Sequence, residues 1–112
     1  MITGREINLR CTEQTTDGVF VVHNFTLEIE LRGKTNPSSG EVFNQASFKS
    51  LVNELKTKFS NLNLNEAFGE WPTLEMLLTV IRTSVLTSIP GWLVLHRLRL
   101  SESNQWAEWL RE

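Results

Sequence analysis

The side chains in this sequence that are best suited to chemistry are one cysteine and two histidines, Cys11, His23 and His96. Each lies in a stretch of alternating apolar and polar residues, a pattern typical of a half-buried strand. Because alternate residues of a strand share a face, the three could face one side of a sheet, where one sulfur and two nitrogens are possible ligands of a metal ion. Histidines among apolar neighbours are more often hydrogen-bonded core residues, so we expect no metal and no cofactor and keep these three only as candidates.

The elements that would hold these side chains begin with two strands. Alternation over Ile7–Cys11 predicts a first strand, which a polar loop of residues 12–18 follows. A longer alternation over Val19–Arg32 predicts a second strand. A joint of residues 32–49 comes next, and its Asn-Pro-Ser-Ser-Gly run is a strong turn signal that must end the strand.

Two amphipathic helices follow this joint. Apolar residues at helical spacing predict a helix that ends near Phe59, with Asn44 or Ser47 available as its N-cap. After an Asn-rich connection, Thr73 is the expected N-cap of a second helix that stops near Ser88, because the following Pro-Gly pair cannot continue it.

The last part of the sequence again shows the alternation of apolar and polar residues that predicts strands. Residues 92–101 alternate, with His96 on the apolar side, and predict a third strand. The tail of residues 104–110 fits either a helical turn or a short edge strand, and we predict a strand. The resulting order is β-β-α-α-β-β.

The composition of the chain indicates that these strands and helices form one α+β domain of residues 1–112. The chain is 40% apolar and 21% charged, and its single cysteine excludes an internal disulfide. A net charge of −2 without a basic stripe argues against nucleic acid, and the absence of a signal-like start or a long apolar run predicts a cytoplasmic protein with no membrane partner. All four tryptophans lie in the second half, where we expect most of them to be core or interface residues.

A sheet of four strands with two helices on one face leaves its other face polar and its edges unpaired. Unpaired edges are templates for pairing with another chain, so we expect self-assembly. Joining such sheets edge to edge produces a barrel.

Four patches in this order resemble the 6-pyruvoyltetrahydropterin synthase and 6-carboxytetrahydropterin synthase family, which has the tunnelling fold. The joint Gly33–Lys49 resembles the family's Gly-x-x-Asn-Pro joint, and Leu64-Asn65 with Pro72-Thr73-Leu74-Glu75 resembles its Leu-Asn and Pro-Thr-x-Glu helix start. Leu98–Ser103 resembles its Val-x-Val-x-Glu-Thr strand, and His23-Asn24-Phe25 resembles the end of its His-Gly-His-Asn-Tyr strand. The resemblance implies trimers, often paired into hexamers, with sites where subunits meet.

The resemblance also implies a zinc ion on three histidines, from which this chain departs. His23 matches the last of them, Val21 stands in place of its partner, and Cys11 is nearest to the position on the first strand. Family residues that transfer protons fall near Thr15 and on Ser60-Asn61, which cannot exchange protons near neutral pH. Glu13 and Asp17 are possible substitute bases, although a solvated polar loop is the favoured interpretation.

The pterin anchor is the part of the family site that the chain matches. Glu102 matches the glutamate that accepts hydrogen bonds from the amino-pyrimidine edge of the pterin, a pair of donors that a carboxylate meets with both oxygens. Thr73 and Glu75 match the helix start beside that pocket. Taken without the resemblance, Glu102 would be interpreted as an exposed carboxylate at a strand end.

Four functional hypotheses follow from this comparison. The first is a divergent synthase-like protein, a lyase if active, that binds a pterin-like or purine-like heterocycle. The second is a non-enzymatic oligomeric interaction module on the same fold, and the third is a zinc enzyme with rearranged ligands. The fourth, dihydroneopterin aldolase, shares the fold, but the Asn36-Pro37 joint and the Pro72-Thr73 helix start argue against it.

Overall fold

The computed structural model describes residues 1–111 and contains four strands and three helices. The strands are β1 (Ile2–Gln14), β2 (Phe20–Arg32), β3 (Val94–Glu102) and β4 (Gln105–Leu110). The helices are α1 (Gln45–Phe59), α2 (Leu64–Phe68) and α3 (Leu74–Ser88). The predicted order is confirmed, and α2 is a short addition within the segment that we interpreted as a connection.

The four strands form one antiparallel sheet in the order β1-β2-β3-β4. Helix α1 packs on β1, and α3 packs on β3 and β4, so both long helices cover the same face. Apolar side chains from that face and from the two helices form the core, including Leu27, Ile29, Leu55, Ile81 and Leu100. The tail is a strand, as predicted.

Strand β1 is longer than we predicted. It continues through Thr12 to Gln14, which pairs with Phe20, so the polar residues 12–14 belong to the sheet and not to a loop. Their alternation with the preceding apolar residues is unbroken, which places Glu13 on the same face as Cys11. The turn between β1 and β2 is therefore shorter than the sequence indicated.

Side-chain caps set the starts of the long helices. The Asn44 carboxamide oxygen accepts hydrogen bonds from the N–H groups of Ala46 and Ser47, which makes it the N-cap of α1. Thr73 caps α3 as predicted, because its hydroxyl accepts from the N–H of Met76. In the joint before α1, Gly40 has a φ of +73°, which glycine adopts without steric cost.

A β-bulge changes the faces of β3. Leu31 pairs with Leu95 but the neighbouring Glu30 pairs with Arg97, so His96 is the extra residue. Leu95 is consequently buried together with Leu98 and Leu100. The uniform alternation that we expected along residues 92–101, with His96 on the apolar side, is wrong at this point.

Three tryptophans are exposed in the single chain. Trp71, Trp92 and Trp106 have exposed fractions of 70%, 63% and 57%, while Trp109 is partly buried against the core. Of the four tryptophans that we expected to be mostly core or interface residues, only Trp109 packs against the core, and burial of the other three in an interface stays a prediction. Within residues 1–111, no helix combines the length and apolar character needed to cross a lipid bilayer.

Candidate functional site

A cavity of about 580 Å³ lies where the first turn of α3 approaches the ends of β2 and β3. Its lining includes Glu102, Thr73 and Glu75, the three residues that the sequence singled out for ligand binding. They are far apart in the sequence, and the packing of α3 on β3 brings them to one place. The lining also includes Glu13 and His23.

His23 lies between two carboxylates at the floor of this cavity. Its Nδ1 is 2.7 Å from Oε1 and 2.9 Å from Oε2 of Glu102, and its Nε2 is 2.8 Å from Oε1 of Glu13. The Asn24 N–H also donates to Glu102 Oε2, at 3.2 Å. A neutral imidazole has one N–H, whereas an imidazolium has two, so the geometry fits a protonated His23 that donates to both glutamates.

The sheet register explains why these groups meet. Glu13 pairs with Val21 and Cys11 pairs with His23, so all four side chains project from the face that carries the helices. Glu102 follows the last paired residues of β2 and β3, Thr26 and Ser101, and projects from the same face. Three strands thus each place one side chain at the same end of the sheet, beneath the start of α3.

The environment of His23 favours its charged form. Partial burial of the ring opposes protonation, but the hydrogen bonds and charges of Glu102 and Glu13 outweigh burial and raise the pKa of His23 above its ordinary value of 6.5. The ring also stacks on Phe25, with a centroid distance of 5.3 Å and an interplanar angle of 4°. This stacking orients the imidazole ring so that each of its two nitrogens faces one of the carboxylates.

Cys11 lies beneath the site but belongs to the core. Its side chain is fully buried, and Sγ lies 3.2 Å from the Phe59 carbonyl oxygen, to which the thiol donates. Burial raises the pKa of the Cys11 thiol to about 11. At neutral pH it is a protonated thiol and therefore a poor nucleophile, and its full burial closes it off from the cavity.

His96 lies far from the cavity. It falls in the bulge opposite Glu30 and Leu31, seven to eight residues along β2 from His23, which corresponds to roughly 25 Å. Its Nδ1 is buried without a hydrogen-bond partner. The structure therefore does not bring His96 to the Cys11 and His23 positions.

These residues do not fit the zinc centre that the resemblance implies. Cys11 is fully buried with its thiol bonded to the Phe59 carbonyl oxygen, His96 is remote, and the two glutamates approach opposite ring nitrogens of His23, which point in divergent directions. No group of three or more histidine, cysteine or acidic side chains within residues 1–111 has the arrangement to hold a metal ion.

The upper wall of the cavity is the start of α3. Thr73 uses its hydroxyl as the helix cap, and Glu75 lies in the first turn, where a carboxylate interacts favourably with the helix dipole. The β3–β4 hairpin supplies the opposite rim through Asn104 and Trp106. The cavity therefore offers an aromatic ring, a hydroxyl and several carboxylates.

Comparison with known proteins identifies the family. A sequence model described as 6-pyruvoyl tetrahydropterin synthase matches residues 22–112. The chain belongs to this family. Over 87 residues it is 34% identical to a protein of Archaeoglobus fulgidus that is provisionally named a 6-carboxy-5,6,7,8-tetrahydropterin synthase, a match that covers 77% of this chain and 71% of that protein.

Solved structures of 6-pyruvoyl tetrahydropterin synthases share the fold. The Caenorhabditis elegans synthase superposes with a TM-score of 0.80 at 15% identity, over 100% of this chain and 96% of that chain. The Plasmodium falciparum synthase superposes with a TM-score of 0.67 at 12% identity, over 98% of both chains. At these identities the likeness concerns the fold, and it confirms the predicted tunnelling fold.

Glu13 is the site residue that the sequence analysis undervalued. We interpreted it as part of a solvated loop, whereas it lies on β1 and bonds to His23. The unbroken alternation of Leu9, Cys11 and Glu13 was the signal that could have placed it on the inner face. Asp17, the other carboxylate of that loop, lies in the turn and accepts a hydrogen bond from the Thr15 hydroxyl.

Proposed function

We propose that this protein binds a pterin or a similar purine-like heterocycle in the cavity beneath α3, with Glu102 as its anchor and without zinc. The observation that carries the proposal is the convergence of Glu102, Thr73 and Glu75 on one cavity. Family membership supports it, since the archaeal relative is named for a tetrahydropterin product.

The hydrogen bonds of Glu102 are compatible with an anchoring role. His23 Nδ1 lies within 2.9 Å of both Glu102 oxygens and the Asn24 N–H donates to Oε2, so a ligand would use the remaining lone pairs of this carboxylate or take the place of the His23 contact. An amino-pyrimidine edge presents two parallel N–H donors, which a carboxylate can accept with both oxygens. The contacts with His23 and the Asn24 N–H keep the Glu102 carboxylate at the wall of the cavity, where a ligand can reach it.

We further propose that the protein is a homo-oligomer and that its cavity lies near a subunit boundary. The edge strands β1 and β4 each have a strand neighbour on one side only within the chain. Edge-to-edge pairing would satisfy their free backbone groups and cover part of the exposed aromatic surface.

A second candidate function is an interaction module that has kept the fold and binds no heterocycle. The observation that favours it is the exposure of Trp71, Trp92 and Trp106, since tryptophan is enriched in protein interfaces. In that case the exposed rings would contact a partner, and the cavity would be incidental.

A thermal-shift titration with pterins and guanine-like purines tests the proposal. A ligand at about 100 times its dissociation constant adds about 2.7 kcal/mol of stability, which is several degrees for a domain of this size. We expect this shift for the wild type and its loss in Glu102→Ala and Glu102→Gln. The second variant keeps an oxygen that accepts a hydrogen bond from His23, so it separates loss of the anchor from loss of folding.

Glu66→Ala is the matched control, because Glu66 is exposed on α2 and does not line the cavity. The ligand should raise the melting temperature of Glu66→Ala as much as that of the wild type. Equal shifts in wild type and both Glu102 variants would contradict Glu102 as the anchor. The absence of any shift across the panel would contradict heterocycle binding and favour the interaction module.

A further inference from the structure

The free edge of β1 is shorter than the strand itself. The connection between α1 and α2 lies along the second half of this edge, where the Asn61 N–H donates to the Arg10 carbonyl oxygen at 2.6 Å. Two residues farther along, the Thr12 N–H donates to the Leu62 carbonyl oxygen at 2.9 Å. The backbone groups of Ile2–Leu9 are therefore the part of the β1 edge that a strand of another chain can pair with.

The backbone directions restrict how the two free edges can meet. On β1 the even-numbered residues point to the free edge, because Arg10 bonds to the connection there. Directly after β4, the Arg111 N–H donates to the His96 carbonyl oxygen, so odd-numbered residues of β4 face β3 and even-numbered ones face the free edge. The buried side chains Leu9 and Ala107 are both odd-numbered. Opposing even-numbered residues therefore pairs the backbones and keeps the helices of both chains on one side.

Two registers then pair all six residues of β4 with the free part of β1. Leu110 lies opposite either Ile2 or Gly4 of the neighbouring chain. The second choice places Glu108 opposite Glu6, and like charges directly opposite each other are destabilising. The first choice joins two exposed apolar residues and places Glu108 opposite Gly4, which has no side chain. The first register is therefore favoured.

The favoured register also gives Glu6 a cationic neighbour. Glu6 lies opposite Trp106, whose ring carries the Arg99 guanidinium with its carbon 4.9 Å from the ring centroid. No ion pair within residues 1–111 involves Glu6, and the one that Arg99 forms there is a 3.9 Å contact with Glu28. The carboxylate of one chain and the guanidinium of the next can therefore pair across the contact.

We infer that the chains join head to tail, with β4 of one chain against the start of β1 of the next, in a single register. The opposed pairs are Leu110 with Ile2, Glu108 with Gly4, and Trp106 with Glu6. This inference rests on the proposed homo-oligomer and specifies which residues meet in it. The contact joins two different edges, so it is heterologous and every chain uses both of its edges in the same way.

Disulfide cross-linking of the purified protein tests the register. The double variant Ile2→Cys with Leu110→Cys has thiols on opposed residues, whose Cα atoms would lie about 5.5 Å apart, within the range of a disulfide. Mild oxidation should convert it to covalent oligomers. Leu110→Cys alone is the control, because the native Cys11 is fully buried, and it should cross-link at least about tenfold more slowly.

A second pair of cysteines represents the alternative register and leaves Glu6 and Glu108 in place. Asn8→Cys with Trp106→Cys opposes two thiols only in that register. In the inferred register these residues are diagonal neighbours about 7–8 Å apart, so they should cross-link at least about tenfold more slowly than the first pair. Cross-linking of this second pair as fast as the first, or faster, would overturn the inference.

A charge reversal provides an independent measurement. Glu6→Arg places a cation beside Arg99 in the inferred register and should raise the protein concentration at which the oligomer half-dissociates by about fivefold. In the alternative register the same substitution would face Glu108 and strengthen the assembly. Light scattering over a dilution series separates the two results, and a strengthened assembly would overturn the inference.

The remaining outcomes separate this inference from the proposed homo-oligomer. A wild type that is oligomeric while neither cysteine pair cross-links would overturn the register and leave the assembly intact. A monomeric wild type would remove both, and heterocycle binding would still be decided by the thermal-shift titration.

Discussion

His23 is the residue on which the site depends, because it joins strands β1 and β3 through side chains alone. Its ring bonds to Glu13 on one edge and to Glu102 on the other. The resemblance assigned this position to a zinc ligand, but in this chain its neighbours are hydrogen-bonding carboxylates. The consequence is a network of charges whose strength depends on the protonation of one imidazole.

At the residue scale we predict that His23 makes stability depend on pH. Its pKa is raised in the folded protein, so folding is favoured by proton binding at this ring. The stabilisation is fully present below the unfolded value of about 6.5 and is lost as pH rises through the raised folded pKa. The free energy of unfolding, measured by urea titration from about pH 5.5 to about pH 9 in wild type and His23→Gln, provides the comparison.

The wild type should exceed the variant most at the acidic end of this range, and the difference should shrink at the alkaline end. Subtracting the two curves removes contributions from groups that both proteins share. A difference that stays constant, or that grows as pH rises, would contradict a charged His23 between the glutamates.

At the element scale, the start of α1 depends on one side chain. Asn44 accepts hydrogen bonds from two N–H groups that have no partner within the helix. We predict that Asn44→Ala lowers the free energy of unfolding by about 1 kcal/mol. Denaturant unfolding measures this loss, and thermal unfolding should show a decrease in Tm of about 4 °C.

The control substitution is Asn53→Ala in the exposed interior of the same helix. Alanine has a higher helix propensity than asparagine, so this variant should be as stable as the wild type or slightly more stable. Equal losses in the two variants would show that the effect comes from general sensitivity of α1 and not from the cap.

The β-bulge at His96 is a second feature at the scale of the secondary-structure elements. A period of two along residues 92–101 assigns His96 to the core side, but the extra residue shifts the pattern and buries Leu95 instead. A bulge has no compositional signature in this strand, because neither glycine nor proline marks the position. Only the pairing of β3 with β2 reveals it.

At the scale of the whole molecule, the two sheet edges predict an assembly. Leu110 on β4 and Ile2 on β1 are apolar residues with exposed fractions of 55% and 48%. Through the registers of the three pairings they lie at the same end of the sheet, on opposite edges. Pairing β4 of one subunit with β1 of the next would bring these two residues close together.

We predict that light scattering after size-exclusion chromatography gives the mass of an oligomer, which is a whole multiple of the 12.9 kDa of one chain and larger than one chain. Leu110→Lys should lower that mass, because a lysine on an edge strand opposes strand pairing. Leu86→Lys on α3 is the matched control at a similarly exposed leucine, and it should leave the mass unchanged. A wild type that runs as a monomer would contradict the assembly.

The sequence by itself determined the features that depend on neighbours in the chain. The alternation along β2, the helical spacing of α1 and α3, the Thr73 cap and the turn at Gly40 are local, so composition and period predicted them correctly. The family patches, read in order, led from these elements to the tunnelling fold.

Tertiary structure alone decided which side chains meet. The position of Glu13 beside His23 requires the register of β1 on β2, and the removal of His96 from the site requires a bulge. The exposure of Trp71, Trp92 and Trp106 likewise depends on which surfaces the helices cover. These features come from contacts between residues that are distant in the sequence, and local periodicity carries no information about such contacts.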